Sequence, residues 1–427
     1  MILSDCYLWM IKIKCLRTFT FLVIALQFIC IAAWCQPAKI YLSPKAAGSA
    51  NQSMFIDSVR FYPLEKSNGV DISRYSGLYI TDKYFMVVNY QDGNLIVYDR
   101  NGRFVKQVSY KKKAAGSYPR YDRAKKQLNF IFTNKLYSLT EKDRIEIQTD
   151  FANKKNKKYY KKYVIDLSDS TFTMKKAAVT AFDILDAYNL KDDLYCTYRV
   201  HVSDRYKDTT DYEVKIYKND QFVKGYFPYN KNHESKYLYA PYIGAHTQES
   251  GKPDTFYITR PYLDTIYSLS NDIITPAYQM VLPMENSLPK SFFETPFKSK
   301  TERENFERNN GWMLRQIYNV FESGRYMFVT IGFLSNYGQY IYDRKTTSSY
   351  NLSKTKADSA TYNLPIISDN LGNRFNDKYY KVINAETLKK TYELKDKSIP
   401  FPKELEACFK DSKNPTPVIV EYTIKTY

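Results

Sequence analysis

The sequence predicts an all-β protein, a six-bladed β-propeller of four-stranded antiparallel blades. Three observations carry that prediction. The chain holds 42 Tyr and 25 Phe against only 14 Gly, an aromatic content of 16%, and aromatic residues favour the pleated, half-buried surface of a strand. Its 427 residues exceed the size at which one ordinary hydrophobic core stops growing, so the chain is either several domains or one closed modular ring. A four-stranded meander over residues 77–108 is echoed, more weakly, along the rest of the sequence, and consecutive antiparallel meanders are what propeller blades consist of.

The chain opens on an expected export signal. Lys12, Lys14 and Arg17 precede an apolar run over residues 18–34, which ends in Ala32, Ala33 and Trp34 and gives way to Cys35, Gln36 and Pro37. A basic, an apolar and a polar region in that order make a secretory leader. The competing reading is a membrane anchor, because the run is near the shortest that spans a bilayer. Gln27 interrupts the run and no basic flank follows it, which favours cleavage. Residues 1–35 are therefore read as signal peptide and residues 36–427 as the propeller domain. Met10 is an alternative start to Met1, since the residues before it bring the acidic Asp5 into a region that should be positive. A lipid anchor on Cys35 is disfavoured by the bulky Trp34 immediately before it. The expected location is the periplasm or the outer-membrane surface.

In the first blade, Leu78-Tyr79-Ile80 and residues 84–88 pair about Thr81-Asp82-Lys83. Gln91-Asp92-Gly93-Asn94 turns into residues 95–99, and Asn101-Gly102 turns into residues 104–108. Glycine supplies the positive φ that tight hairpins need. The second group covers residues 127–147 (LNFIF, KLYSL, RIEIQ) and the third 193–223 (LYCTYRVHV, YEVKIYK, QFVKG). The fourth covers 253–281 (TFYIT, TIYSL, AYQMV), the fifth 326–352 (YMFVTIGF, GQYIYD, SSYNL) and the sixth 374–394 (NDKYYKVI, KKTYEL). Their spacing exceeds the roughly 40 to 50 residues of regular propeller repeats, so insertions are expected. One is the polar stretch 287–310, where Ser299 and Glu302 form a capping-box pair that predicts a short helix through Arg308. Another is the run of Lys154, Lys155, Lys157, Lys158, Lys161 and Lys162 interleaved with Tyr159, Tyr160 and Tyr163. The closing blade of such a ring combines both chain ends, which places residues 54–64 beside residues 417–424.

Charge and motifs bound the function. The formal charge of +18 falls to +16 once the three cations and one anion of the leader are removed. In an exported protein so basic a surface meets anionic lipid headgroups, acidic glycans or cell-wall polymers, or serves solubility alone, and nucleic acid is not expected. Cys196 and Cys408 are the only cysteines beyond the leader and read as buried small hydrophobes, with a disulfide as the alternative. His201, His233 and His246 lack metal-ligand spacing, and no nucleophile elbow, P-loop or dinucleotide fingerprint is present. Asp99, Asp343 and Asp192-Asp193 sit at blade turns, where Asx turns account for them. No catalytic residue, cofactor or metal set is assigned. The candidate ligand-contact loop is Lys157, Lys158, Tyr159 and Tyr160, whose cations and rings suit a polyanion or a sugar; a solvated basic loop is the alternative. These features predict a binding or scaffold module for a glycan, a peptide or a cell-envelope protein. The alternative is a lyase or hydrolase with a metal in the central channel, which requires histidines such as His233 beside Glu234, or His246 with Glu249, to converge there.

The stretch 260–289, RPYLDTIYSLSNDIITPAYQMVLPMENSLP, resembles the exported six-bladed β-propeller proteins abundant in Bacteroidetes bacteria. Asp264-Thr265-Ile266-Tyr267 followed by Pro276-Ala277-Tyr278 looks like a recurrent blade of that group. Val97-Tyr98-Asp99 with Asn101-Gly102 and Phe104-Val105, Ile399-Pro400-Phe401-Pro402, and Asn414-Pro415 with Val418-Ile419-Val420 agree with it. One segment departs. Relatives carry a G-x-G-P-G-E-Y type loop after the first blade, where this chain has residues 111–119, KKKAAGSYP. The resemblance implies fold and export and brings no reaction with it.

Overall fold

The computed structural model describes residues 36–66, 72, 75, 77–89, 91–110, 119–122, 125–133, 138–140, 143, 154–180, 188–191, 194–197, 210–218, 221–230, 246–294, 297–367, 371–393, 400–409 and 416–426. The expected leader lies outside them. Six sheets follow one another in chain order and form a six-bladed β-propeller.

The first blade is Gly77–Ile80, Tyr84–Asn89, Asn94–Asp99 and Phe104–Ser109, from the inner strand outwards. The second is Arg120–Asp122, Gln127–Thr133, Tyr160–Asp166 and Met174–Ala177, and the third Tyr188–Lys191, Leu194–Thr197, Thr210–Lys218 and Gln221–Asn230. The fourth is His246–Glu249, Thr255–Thr259, Thr265–Ser270 and Ile273–Val281, and the fifth Leu314–Ser323, Tyr326–Phe333, Tyr337–Asp343 and Ser349–Asn351. The sixth takes Asn373–Phe375, Lys378–Ile383 and Val418–Ile424 from the C-terminal part and closes on Ile56–Pro63, with Ile56 opposite Ile424 and Pro63 opposite Val418. Both chain ends therefore share the closing blade, as the sequence predicts.

One feature of the ring has no precursor in the sequence reading. Ala38–Tyr41 adds a fifth, parallel strand to the fourth blade. Gly48 then bridges to Tyr350 and Asn51 to Lys356 on the fifth blade before residues 56–63 join the sixth. The N-terminal segment is thus a strap across three blades.

The buried apolar residues lie at the seams. Met86 and Val88 of the first blade pack with Leu128 and Phe130 of the second; Val214 and Ile216 of the third meet Ile258 and Leu269 of the fourth. Tyr257 and Ile266 of the fourth meet Ile317 and Met327 of the fifth, Phe328 and Ile341 of the fifth meet Tyr379 and Val420 of the sixth, and Val382 and Ile419 of the sixth meet Phe85 and Val87 of the first. Full burial of one such side chain stabilises by about 1.5–3 kcal/mol, so each blade is held by its neighbours. Buried carboxylates cross three seams. Glu213 accepts both arms of the Arg260 fork at 2.9 and 2.6 Å. Glu322 accepts from Tyr257 and, at 2.8 Å, from Tyr278 of the fourth blade, and from Arg344 of its own blade at 2.5 Å. Glu421 accepts from Tyr380 at 2.7 Å, with the guanidinium of Arg100, from the first blade, at 3.5 Å.

Two strand assignments made from the sequence need correction. The third strand of the second blade is Tyr160–Asp166, paired residue by residue with Gln127–Thr133, and not the KLYSL segment, of which the described residues Ser138 and Leu139 are outside any strand. The lysines mask the signal. Tyr160 and Ile165 are buried while Lys161 is exposed, so a core strand reads as a basic loop. KKTYEL is likewise no strand. It ends a helix, Ala385–Glu393, in which Leu388 and Thr391 are buried and Lys390 pairs with Glu386 one turn earlier at 2.9 Å. Cys196 and Cys408 are both buried and are not joined to each other by a disulfide, so the disulfide alternative does not hold.

Candidate functional site

The fourth and fifth blades are joined by a long connection over residues 282–313, and its folding creates the site. It begins with one 3-10 turn, Met284–Asn286, and carries two helices, α1 (Lys290–Glu294) and α2 (Lys300–Asn309). Ser299 caps α2 by accepting from Glu302 N at 3.1 Å, and Glu302 in return accepts from Lys298 N at 2.6 Å. The first bond satisfies one of the amides that a helix start leaves open, and the second ties the residue before the cap to the same turn. The polar outside hides an apolar underside. Phe292 packs on Tyr262 with ring centroids 5.1 Å apart, Phe306 packs on Phe297 at 5.4 Å, and Leu334 of the fifth blade joins the same cluster.

The connection returns through Gly311-Trp312-Met313 and is stitched to the turn between the second and third strands of the fifth blade. Leu334 N donates to Met313 O at 2.9 Å, Ser335 N to Gly311 O at 3.1 Å, and Asn336 Nδ2 to Gly311 O at 3.1 Å. Asn286 is buried, and its Nδ2 donates to Trp312 O at 2.8 Å. Between these anchored segments lies a cleft of about 940 Å³. Trp312 and Tyr337 form its aromatic part, Glu285, Asn286, Gln339, Asn351 and Ser353 its polar part, and Lys45 from the N-terminal strap and Lys354 its cations.

Two rings in this cleft are open to solvent. Trp312 leans on Phe333, with centroids 5.2 Å apart, yet keeps 51% of its surface exposed, and Tyr337 keeps 74%. Scattered exposed apolar residues are ordinary; two large rings on one concave surface, beside hydrogen-bonding groups, make a recognition surface of the usual mixed kind. The backbone under the rings is fixed by the bonds just described, so little ordering is needed on binding.

The expected contact loop stands elsewhere and is only partly exposed. Lys154–Tyr159 forms a 3-10 turn between the second and third strands of the second blade. Lys158 is exposed, with its Nζ 4.9 Å from the Tyr159 ring centroid, while Lys157 and Tyr159 are half-buried. Tyr160 is 8% exposed and packs with Ile131, Leu139 and Val179, so the four residues do not form one open surface. Strands alternate in direction, so connections between second and third strands, and between one blade and the next, emerge on one face of the ring. The Lys157-Lys158 turn and the Trp312 cleft therefore share a face.

Of the candidate metal-channel residues, His246 and Glu249 are described. His246 lies on the inner strand of the fourth blade, edge-on to Tyr318 at 5.9 Å, and burial pushes its imidazole pKa down, which keeps it neutral near pH 7. His201 and His233 lie outside the described residues, as do Asp192, Asp193 and the 111–118 part of the departing loop. Among the described residues no three His, Cys, Asp or Glu side chains are grouped to hold a metal ion. Asp99 and Asp343 form Asx turns: Asp99 accepts from Asn101 N at 2.8 Å, and Asp343 from Lys345 N at 3.0 Å and from the Arg325 fork.

Trp312 and Tyr337 are the residues that reading the sequence misses. Their signals are faint but present: Trp312 is the one tryptophan beyond residue 35, and each ring adjoins a glycine, Gly311 and Gly338.

Comparison with known proteins supports the fold. Residues 38–375 match the model of a family described as a 6-bladed beta-propeller, DUF5128. The structure of a candidate exported protein from Bacteroides fragilis superposes with a TM-score of 0.55 at 15% identity, over 91% of this chain and 100% of that one. A member of the duf4221 family from Bacteroides vulgatus gives a TM-score of 0.40 at 10% identity, over 87% and 97%. Virginiamycin B lyase from Staphylococcus aureus gives 0.30 at 8%, over 69% and 73%; at such values neither bears on function. No curated protein matches the sequence.

Proposed function

The chain belongs to the 6-bladed beta-propeller family DUF5128, and from that premise we propose that it is an exported binding module whose cleft between the fourth and fifth blades holds a glycan. The observation that carries the reading is the pair of solvent-open rings, Trp312 and Tyr337, on one cleft with side chains that both donate and accept hydrogen bonds. A sugar ring shows C–H groups on its faces and hydroxyls around its edge. An aromatic face buries the former, and Asn351, Gln339 and Glu285 suit the latter. The cations Lys45 and Lys354 beside the single Glu285 favour an acidic glycan over a basic one.

Compartment and origin belong to the same proposal. The leader pattern of residues 1–35 supports export to the periplasm or outer-membrane surface, and no described helix is long and apolar enough to cross a membrane. The Arg260-to-Pro289 stretch supports a place among the exported propellers of Bacteroidetes. Fold alone assigns no chemistry, so the reading rests on the cleft. A glycan and peptide array probed with residues 36–427 tests it. Glycan signals that disappear in Trp312→Ala are expected; signals confined to peptides, or glycan signals indifferent to Trp312, overturn it.

A further inference from the structure

A second cavity, of about 330 Å³, is lined by the first three strands of the fifth blade, by Arg374 and Tyr379 of the sixth, and by Gln248 and Glu249 on the inner strand of the fourth. Its size lies at the lower end of the range for small-ligand pockets, about 300–1,000 Å³. Gln248, on the inner strand of the fourth blade, lines it and is only 9% exposed. Neither its amide nitrogen nor its amide oxygen has a hydrogen-bond partner among the described residues. That is an unusual state, because a buried amide left unpaired is destabilising and native proteins pair nearly all such groups.

The orientation of the strand gives the unpaired amide its direction. Thr247 approaches Cys196 of the third blade at 3.6 Å, so side chains two apart on the opposite face of this strand, His246 and Gln248, turn the other way. His246 accordingly meets Tyr318 of the fifth blade. From the sixth blade Arg374 enters the cavity wall, its guanidinium 5.0 Å from the Phe321 ring centroid, and Leu371 and Val329 supply apolar surface.

A side-chain amide that offers one donor and one acceptor in a plane complements an extended peptide residue, which presents its own N–H and C=O along the same edge, as in a hydrogen-bonded strand pair. We propose that this cavity binds a short extended peptide through the amide of Gln248, with the peptide's terminal carboxylate toward Arg374 and an apolar side chain against Phe321 and Leu371. Guanidinium and carboxylate complement each other in charge and in planar geometry, and the rigid inner strands keep the amide in place. Gln248 is then retained for recognition at some cost to stability. The cavity adjoins the cleft of Trp312, with Gln339 and Tyr340 lining both, but Gln248 and Arg374 lie outside that cleft, and the proposal does not depend on a glycan being bound there.

The test uses residues 36–427 and a library of tripeptides with a free carboxylate and an apolar central residue, read by saturation-transfer NMR and then by titration calorimetry. Wild-type protein is expected to bind a subset. Methylating the central amide nitrogen of a binding peptide removes the N–H that the Gln248 oxygen accepts and is expected to weaken it at least tenfold; amidating the carboxylate weakens it severalfold. Gln248→Leu is expected to lose binding at least tenfold while melting at the same or a higher temperature, because leucine needs no partner. The peptide changes report on the site even in the event that this variant folds poorly. The proposal is overturned by a library without binders, by ordered water alone on Gln248, or by peptides whose affinity ignores both N-methylation and Gln248→Leu.

Discussion

Replacing Glu322 by Gln keeps the shape of the side chain and removes its charge from the seam between the fourth and fifth blades. Four groups converge on that carboxylate. Tyr257 and Tyr278 donate to Oε1, Arg344 donates to Oε2, and Lys252 Nζ stands 3.0 Å from Oε1. A hydrogen bond to a charged partner contributes about 1.5–3 kcal/mol, against about 0.5–1.5 for a neutral one, so the charge accounts for about 1 kcal/mol at each of Tyr257 and Tyr278, and the amide, with one accepting oxygen in place of two, adds a loss of about the same size at Arg344. The Lys252 side chain is half-exposed and screened by water, and adds little. Glu322→Gln is therefore expected to lose about 3 kcal/mol at pH 7, summing over those three bonds. The loss carries a pH signature. Burial alone would raise the Glu322 pKa, but the bonds from Tyr257, Tyr278 and Lys252 outweigh it and hold the carboxyl below its ordinary value. With the folded value below the unfolded one, the contribution is whole above the ordinary glutamate value, about 4.3, and is lost as pH falls through the folded value. Equilibrium urea unfolding of both proteins from neutral to acid pH measures the gap. It should be wide at pH 7 and close in acid. A gap below about 0.5 kcal/mol at pH 7, within the ordinary scatter of surface substitutions, or one unchanged down to the acid limit, refutes the reasoning.

Other expectations follow from the same geometry. Gly102 has φ of 81°, and a Cβ there would lie 2.1 Å from Pro63 O, so Gly102→Ala should lower the unfolding free energy by about 2 kcal/mol or more, visible in the same urea titration. Burial raises the Cys196 and Cys408 thiols to about 12, so both should resist a thiol reagent in the native state at mildly alkaline pH and react once denatured; rapid native labelling would contradict their burial. Lys157→Ala with Lys158→Ala should weaken retention on an acidic polysaccharide resin at low salt without changing stability. Tyr160→Ala should instead cost about 3 kcal/mol as a large-to-small core change, measured by thermal melting, and leave retention unchanged in the fraction that stays folded.

The ring was legible where strands alternate and turns are marked. Asn101-Gly102 and the apolar run Phe85-Met86-Val87-Val88 state the first blade outright, and the closing pair of chain ends follows from ring closure. Apart from Leu78-Tyr79-Ile80, the inner strands were not legible. His246-Thr247-Gln248-Glu249 and Arg120-Tyr121-Asp122 are too short and polar to show an alternating pattern, and Leu314–Ser323 carries two register shifts that break the period of two. The strap Ala38–Tyr41 buries Ile40 alone, too little for a pattern. The cleft was hidden for a different reason: Lys45, Glu285, Trp312, Tyr337 and Asn351 meet only through folding, whereas the Lys157-Lys158 run is conspicuous in sequence and only half-exposed in space.

Trp9 and Trp34 lie within residues 1–35, so in residues 36–427 Trp312 is the sole tryptophan and its fluorescence reports on the cleft directly. Titrating that protein with an acidic oligosaccharide drawn from the array tests glycan binding at the Trp312 cleft. A saturable change in Trp312 emission is expected, together with an affinity in Tyr337→Ala about 30-fold weaker, corresponding to about 2 kcal/mol for the lost ring contact. Calorimetric binding with no change in Trp312 emission, and with Tyr337→Ala as tight as wild type, would place the ligand elsewhere and contradict the account.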